Sequence, residues 1–178
     1  GAADGSEILK VGPAGADKIY DADGNAMDVA EMAEATLTDL GLIGSWKAYD
    51  ISAILLGLGY DDSLYAHFNA DQTYRVQAYI AGIEYELIGT YTQTKSDYGN
   101  IWSIILNQTE MNGTPTEITS EGIFEVYAAS PDSMWYEVAQ TNPAIQGVTA
   151  PTAEAGFGST SGGLLGTANI QKYFRMED

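Results

Sequence analysis

Tyr74-Arg75-Val76-Gln77-Ala78-Tyr79-Ile80 is followed by Ala81-Gly82 and then by Tyr85-Glu86-Leu87-Ile88-Gly89-Thr90-Tyr91. In the first run Tyr74, Val76, Ala78 and Ile80 fall on one side, with Arg75, Gln77 and Tyr79 on the other. In the second, Tyr85, Leu87, Gly89 and Tyr91 share a side. Alternation with a period of two marks half-buried strands, and the Ala-Gly between the runs marks a turn. These fourteen positions set the reading of everything after Leu42.

Working outward, the pattern continues in both directions. A strand is predicted over about Ile43 to Ser52, then a loop carrying the apolar cluster Ile54-Leu55-Leu56. Ser63 to Phe68 follows, with Leu64, Ala66 and Phe68 on one face, and Asn69-Ala70-Asp71-Gln72 turns the chain into the opening run. Downstream, Ser96 to Asn100 makes a turn before a strand from Ile101 to Leu106. Asn112-Gly113 suits a hairpin turn in which both central residues take positive φ. Gly122, Phe124, Val126 and Ala128 alternate in the next strand. Pro131-Asp132 leads into Met134, Tyr136 and Val138, and the last strand spans about Asn169 to Met176. Eight antiparallel strands are enough to close a sheet on itself, with an interior that side chains fill or that holds one small ligand. The expected fold is an all-β, eight-stranded, up-and-down barrel.

Ahead of the barrel, residues 1–27 are rich in Gly, Ala and Asp and read as a tether, with a short hairpin around Asp23-Gly24-Asn25. Asp28 followed by Glu31 resembles a capping box, and Val29, Met32, Ala33, Leu37 and Leu40 form a helical stripe closed by Gly41. A docked helix is therefore predicted over 28–40 within a barrel domain of 28–178. Between the last two strands lies an unusually long connection, roughly Asn142 to Thr167, including Gly156-Phe157-Gly158-Ser159-Thr160-Ser161-Gly162-Gly163. Such loops are usually lids, binding loops or disorder.

The chain has 178 residues and a formal net charge of −18, with no Lys or Arg between Ser96 and Gln171. A phosphate backbone would meet repulsion there instead of releasing counterions, which excludes nucleic acid as a partner. Anionic membrane surfaces are disfavoured for the same reason. There is no cysteine, and abundant Tyr, Thr, Ser, Gly and Asn suits an extracellular protein. No apolar run is long enough to span a bilayer.

Gly44-x-Trp46 at the head of the first strand, behind a short helix and before an up-and-down meander, resembles the lipocalin (calycin) superfamily. The resemblance implies that Trp46 closes one barrel end and that Arg175, in Lys172-Tyr173-Phe174-Arg175, packs across its ring. Phe68-Asn69-Ala70-Asp71-Gln72-Thr73-Tyr74 and Ile88-Gly89-Thr90-Tyr91 are similar to the hairpin and strand motifs of lipocalin-like domains in Gram-negative surface lipoproteins. Gln72 stands where that group usually has Gly. The resemblance covers about Leu42 to Met176. It implies a cell-envelope location, with the membrane reached only through a lipid on a cysteine upstream of Gly1.

Candidates for chemistry are few. His67, the only histidine, faces outward opposite Phe68 and has no serine or cysteine motif around it in sequence. Lipocalin-fold isomerases use a cysteine, which this chain lacks. Asp21-x-Asp23-x-Asn25 begins like a calcium loop but has Ala26 and Met32 where Gly and Glu are required. Glu84 and Glu86 alternate with Tyr85 and Leu87 as a solvated outer face does. No cofactor, metal or catalytic residue is expected. The inner aromatics Phe68, Tyr74, Tyr85, Tyr91, Phe124 and Tyr136 either fill the barrel or line a cavity. Two functions follow. One is a non-enzymatic protein binding a small apolar or amphiphilic ligand in the barrel mouth, walled by Val76, Leu87, Phe124, Val126 and Tyr136, with Phe157 as a lid. The other is an interaction module with a filled barrel whose loops recognise glycan or protein.

Overall fold

The computed structural model describes residues 8–11, 33–36 and 41–177. Strands β1 (Ile8–Val11) and β2 (Ala33–Thr36) pair antiparallel, Ile8 opposite Thr36 and Val11 opposite Ala33. The helix predicted over 28–40 is therefore corrected at Ala33–Thr36, which is strand. An isolated helix of that length is marginal, and a paired extended segment satisfies the same backbone groups. The rest of that helix, most of the 1–27 tether, the Asp23-Gly24-Asn25 turn and Asp21-x-Asp23-x-Asn25 lie outside the described residues.

The remaining strands are β3 (Gly44–Asp50), β4 (Tyr60–Phe68), β5 (Thr73–Ile80), β6 (Ile83–Lys95), β7 (Trp102–Met111), β8 (Thr114–Tyr127), β9 (Ser133–Asn142) and β10 (Gln171–Arg175). They form a closed antiparallel barrel in the order β10-β3-β4-β5-β6-β7-β8-β9. Each strand follows its sequence neighbour, and β10 bonds to both β9 and β3. The expected all-β, eight-stranded, up-and-down barrel is what the chain forms. The apolar cluster after β3 is a short helix, α1 (Ala53–Gly57), started by Ser52, whose Oγ accepts from the Leu55 N–H at 3.2 Å.

Turn chemistry fixes the hairpins. Asn112 and Gly113 both take positive φ, 51° and 74°, which matches the right-handed twist of the flanking strands. In the β4–β5 turn Gln72 sits at φ 68°. Asp71 supports it, its Oδ1 accepting from the Thr73 N–H and hydroxyl at 3.0 and 2.6 Å. The Gln72 carbonyl also receives the Tyr91 N–H at 2.8 Å, tying the turn to β6.

One end of the barrel is packed solid. Trp46 is fully buried and donates from Nε1 to the Leu42 carbonyl at 2.8 Å. The Arg175 guanidinium lies 4.3 Å from its ring centroid, an attraction worth ~0.5–2 kcal/mol. Arg175 also donates to the Ile43 carbonyl at 2.6 Å and to buried Asp132 at 3.1 Å. Gly44 leaves room for this, since a Cβ there would fall 2.6 Å from Arg175 Nη1. Above the plug, Phe68 meets Tyr91 edge-on at 5.1 Å and Phe124 stacks on Trp102 at 5.9 Å.

Candidate functional site

Beyond that aromatic layer the barrel is hollow. A cavity of about 170 Å3 runs toward the α1 end, lined by Leu64, Val76, Leu87, Leu106, Met134 and Tyr136 among others. Its size follows from residue choice. Ala66 and Ala78 are small among the buried inward residues of β4 and β5, and they leave a void where larger side chains would have met. Leu55 of α1 and Tyr60 border the cavity and are half-buried, so the helix covers this end without sealing it. Gly89 lets the Tyr74 ring lie across β6, because a Cβ there would come within 2.7 Å of Tyr74 Cε1.

Among the described residues the wall carries no charged side chain. Its polar groups are Gln108, Ser120, Gln171 and the phenols of Tyr60, Tyr74, Tyr136 and Tyr173. Tyr173 donates to Gln171 Oε1 at 2.6 Å. Burial pushes the Tyr74 phenol up to about 12 and raises Tyr173 as well. Tyr136 is raised well above the ordinary value, first by burial and then by Tyr173 and Tyr74. A raised phenol contributes stability that is fully present below the unfolded value of 10 and is lost as pH climbs through the folded value. The urea midpoint should therefore hold steady up to pH 10 and fall between 10 and about 12. Tyr74→Phe should make that fall shallower.

Of the residues predicted for the site, Val76, Leu87 and Tyr136 line the cavity. Phe124 and Val126 belong to the same core but pack outside the cavity lining, Phe124 fully buried. Tyr85 pairs with Ala78 on the inner face, nearer the rim and also outside that lining. The inner aromatics thus do both things left open by the sequence, filling one end and bordering a void at the other. Phe157 is elsewhere, edge-on to Trp135 at 5.7 Å on the outer wall.

The reason is the long connection between β9 and β10, whose Phe157 to Thr160 part lies along the outer wall while Gly166–Asn169 packs against α1. Glu137 on the outer face of β9 is fully buried. It accepts from the Gly158 N–H at 2.6 Å, the Thr160 N–H at 3.1 Å and the Thr160 hydroxyl at 2.5 Å. Asn169 then donates to the Thr160 hydroxyl at 3.0 Å and to the Val138 carbonyl at 2.9 Å. The glycine-rich run is a consequence of this path, Gly156, Gly158, Gly162, Gly163 and Gly166 all having φ between 49° and 87°.

His67 faces outward, with Nδ1 2.7 Å from Ser45 Oγ and Nε2 2.8 Å from Asn69 Oδ1. Cross-strand register supplies the serine that the local sequence lacks, Ser45 lying opposite His67. This chain of groups is solvent-exposed and separated from the cavity by the sheet, so it encloses no substrate. Glu84 and Glu86 are likewise on the outer face, paired with Gln77 at 2.7 Å and with Arg75. Among the described residues no cluster of three or more His, Asp or Glu side chains could hold a metal. No described helix is long and apolar enough to cross a membrane. Comparison with protein-family models, curated proteins and solved structures finds no match to this chain.

Proposed function

We propose that this protein is a non-enzymatic, lipocalin-like binding protein of the cell envelope that holds a small apolar or amphiphilic molecule in the barrel. The single observation that carries the reading is the apolar cavity of about 170 Å3 between the aromatic plug and α1. An engineered apolar void of about 150 Å3 stays dry and takes up benzene, which sets the scale of the occupant at six to eight heavy atoms. The cavity is smaller than the ~300 Å3 that drug-sized ligands need, which counts toward the rival interaction module and confines the present reading to a very small occupant. The acidic, cysteine-free composition and the resemblance of its motifs to envelope lipoproteins support the location.

Methyl-detected NMR with toluene tests the reading. The methyl of Met134, which borders the cavity, should shift in a saturable way, while that of exposed Met176 stays still. Val76→Phe, which places a ring in the void, should abolish the response. A Met134 signal indifferent to toluene would remove ligand binding in the barrel. It would favour the rival reading of an interaction module. That reading has its own support in the exposed Tyr49–Phe174 stack, with ring centroids 4.0 Å apart on the outer wall.

A further inference from the structure

Within the cavity wall one polar atom is unaccounted for. Gln108 sits on the inner face of β7 opposite Ile118 of β8, and its Nε2 is buried without a hydrogen-bond partner. Leaving a buried donor unpaired costs roughly 1–3 kcal/mol, so native proteins seldom keep one without a use. Apart from the buried Arg175 Nη2 in the plug at the opposite end, it is the only such side-chain atom among the described residues.

We propose that Gln108 is a specificity residue: its amide N–H donates to an acceptor oxygen on the bound molecule, which is a small neutral ketone, ether or ester and not a fatty acid. This inference rests on the ligand-binding reading above and adds the chemical class of the occupant. Three features of the wall converge on it. The lining is mostly apolar, so the body of the ligand is hydrocarbon. The unpaired group is a donor, so the ligand supplies an acceptor. Among the described residues no Lys or Arg borders the cavity, and the chain carries a formal charge of −18, so a carboxylate would enter without compensation. Carboxylates and ammonium ions are both disfavoured by a neutral pocket of this kind.

The test uses three ring compounds of about seven heavy atoms each, cyclohexanone, methylcyclohexane and cyclobutanecarboxylate, titrated at neutral pH into the wild type, Gln108→Met and Gln108→Leu. The wild type should bind the ketone and the hydrocarbon but not the carboxylate. Both variants should lose about five- to tenfold in affinity for the ketone, the equivalent of one net hydrogen bond. Their affinity for methylcyclohexane should be unchanged or higher, which also reports that each variant is folded. If ketone and hydrocarbon both bind and the substitutions weaken neither, the assignment of Gln108 is overturned while the cavity reading stands. Carboxylate binding as tight as the ketone's would overturn the neutral-ligand class. If none of the three binds the wild type, the cavity reading itself fails.

Discussion

Asp132→Ala is expected to destabilise the barrel by about 3–5 kcal/mol, because it strips the counter-ion from a buried cation. Asp132 is fully buried in the β8–β9 turn, where Oδ2 accepts from Arg175 Nε at 3.1 Å and Oδ1 from the Ala129 N–H at 3.1 Å. Without the carboxylate the guanidinium remains wedged between the Trp46 ring and the Ile43 carbonyl. It has little access to water, its side chain being only 12% exposed. The Arg175 N–H also bonds to the Asp132 carbonyl at 2.8 Å, so the pair sits where the last strand joins the barrel. Arg175→Met should cost a similar amount by orphaning Asp132. The double variant Asp132→Ala with Arg175→Met should cost clearly less than the two single losses added together, since no unpaired charge is left. Urea denaturation of the four proteins measures this. A loss below about 1 kcal/mol for Asp132→Ala would mean that the pair behaves like an ordinary surface contact.

The barrel was legible because one physical signal, alternation with a period of two, recurs wherever a strand has one face inside. That signal fades where both faces are polar. Strand β8 extends back to Thr114 and β7 on to Met111, yet Thr-, Glu- and Asn-rich stretches there carry no apolar stripe. Gln108 was missed for the same reason. Counting on by twos from Ile104 and Leu106 puts it inside, but an amide reads as outer-face when hydrophobicity is the guide. Ser120 follows in the same way from Phe124 and Gly122, and Gln108 and Ser120 both line the cavity. Ser45 beside His67 could not be found locally, because register joins residues from different strands. The segment Ala33–Thr36 failed in the opposite direction. Its local helical stripe was outweighed by pairing with Ile8–Val11, a partner more than twenty residues away. The path of the long loop is a tertiary matter, decided by one carboxylate whose position in β9 looks like any solvated Glu.

That carboxylate supplies the second large effect. Glu137→Ala should cost about 3 kcal/mol, since hydrogen bonds to a charged group are worth ~1.5–3 kcal/mol and buried donors left behind are penalised. Three donors depend on it, the N–H groups of Gly158 and Thr160 and the Thr160 hydroxyl. The loss differs in kind from that at Asp132. Ile123 and Ala139 face away from the barrel interior and are nonetheless buried, as are Ala153 and Thr160 of the loop. The loop and the outer face of β8 and β9 therefore form a small satellite core with Glu137 at its centre. Removing Glu137 should open that core locally before the barrel unfolds. Amide exchange at Gly158 and Thr160 should accelerate strongly, while the Trp46 and Phe124 amides in the barrel keep their protection. Glu137→Gln keeps one acceptor for Thr160 but turns an amide N–H2 toward the Gly158 donor, so it should fall between wild type and alanine. Glu137 holds Gly158 and Thr160 on the outer wall, whereas the part of the loop that meets α1, Gly166–Asn169, has its own anchor in the Asn169 bond to the Val138 carbonyl, so neither substitution should change the affinity of a ligand inside the barrel. Uptake of toluene that weakened in step with loop release would show that the release carries through Asn169 to α1.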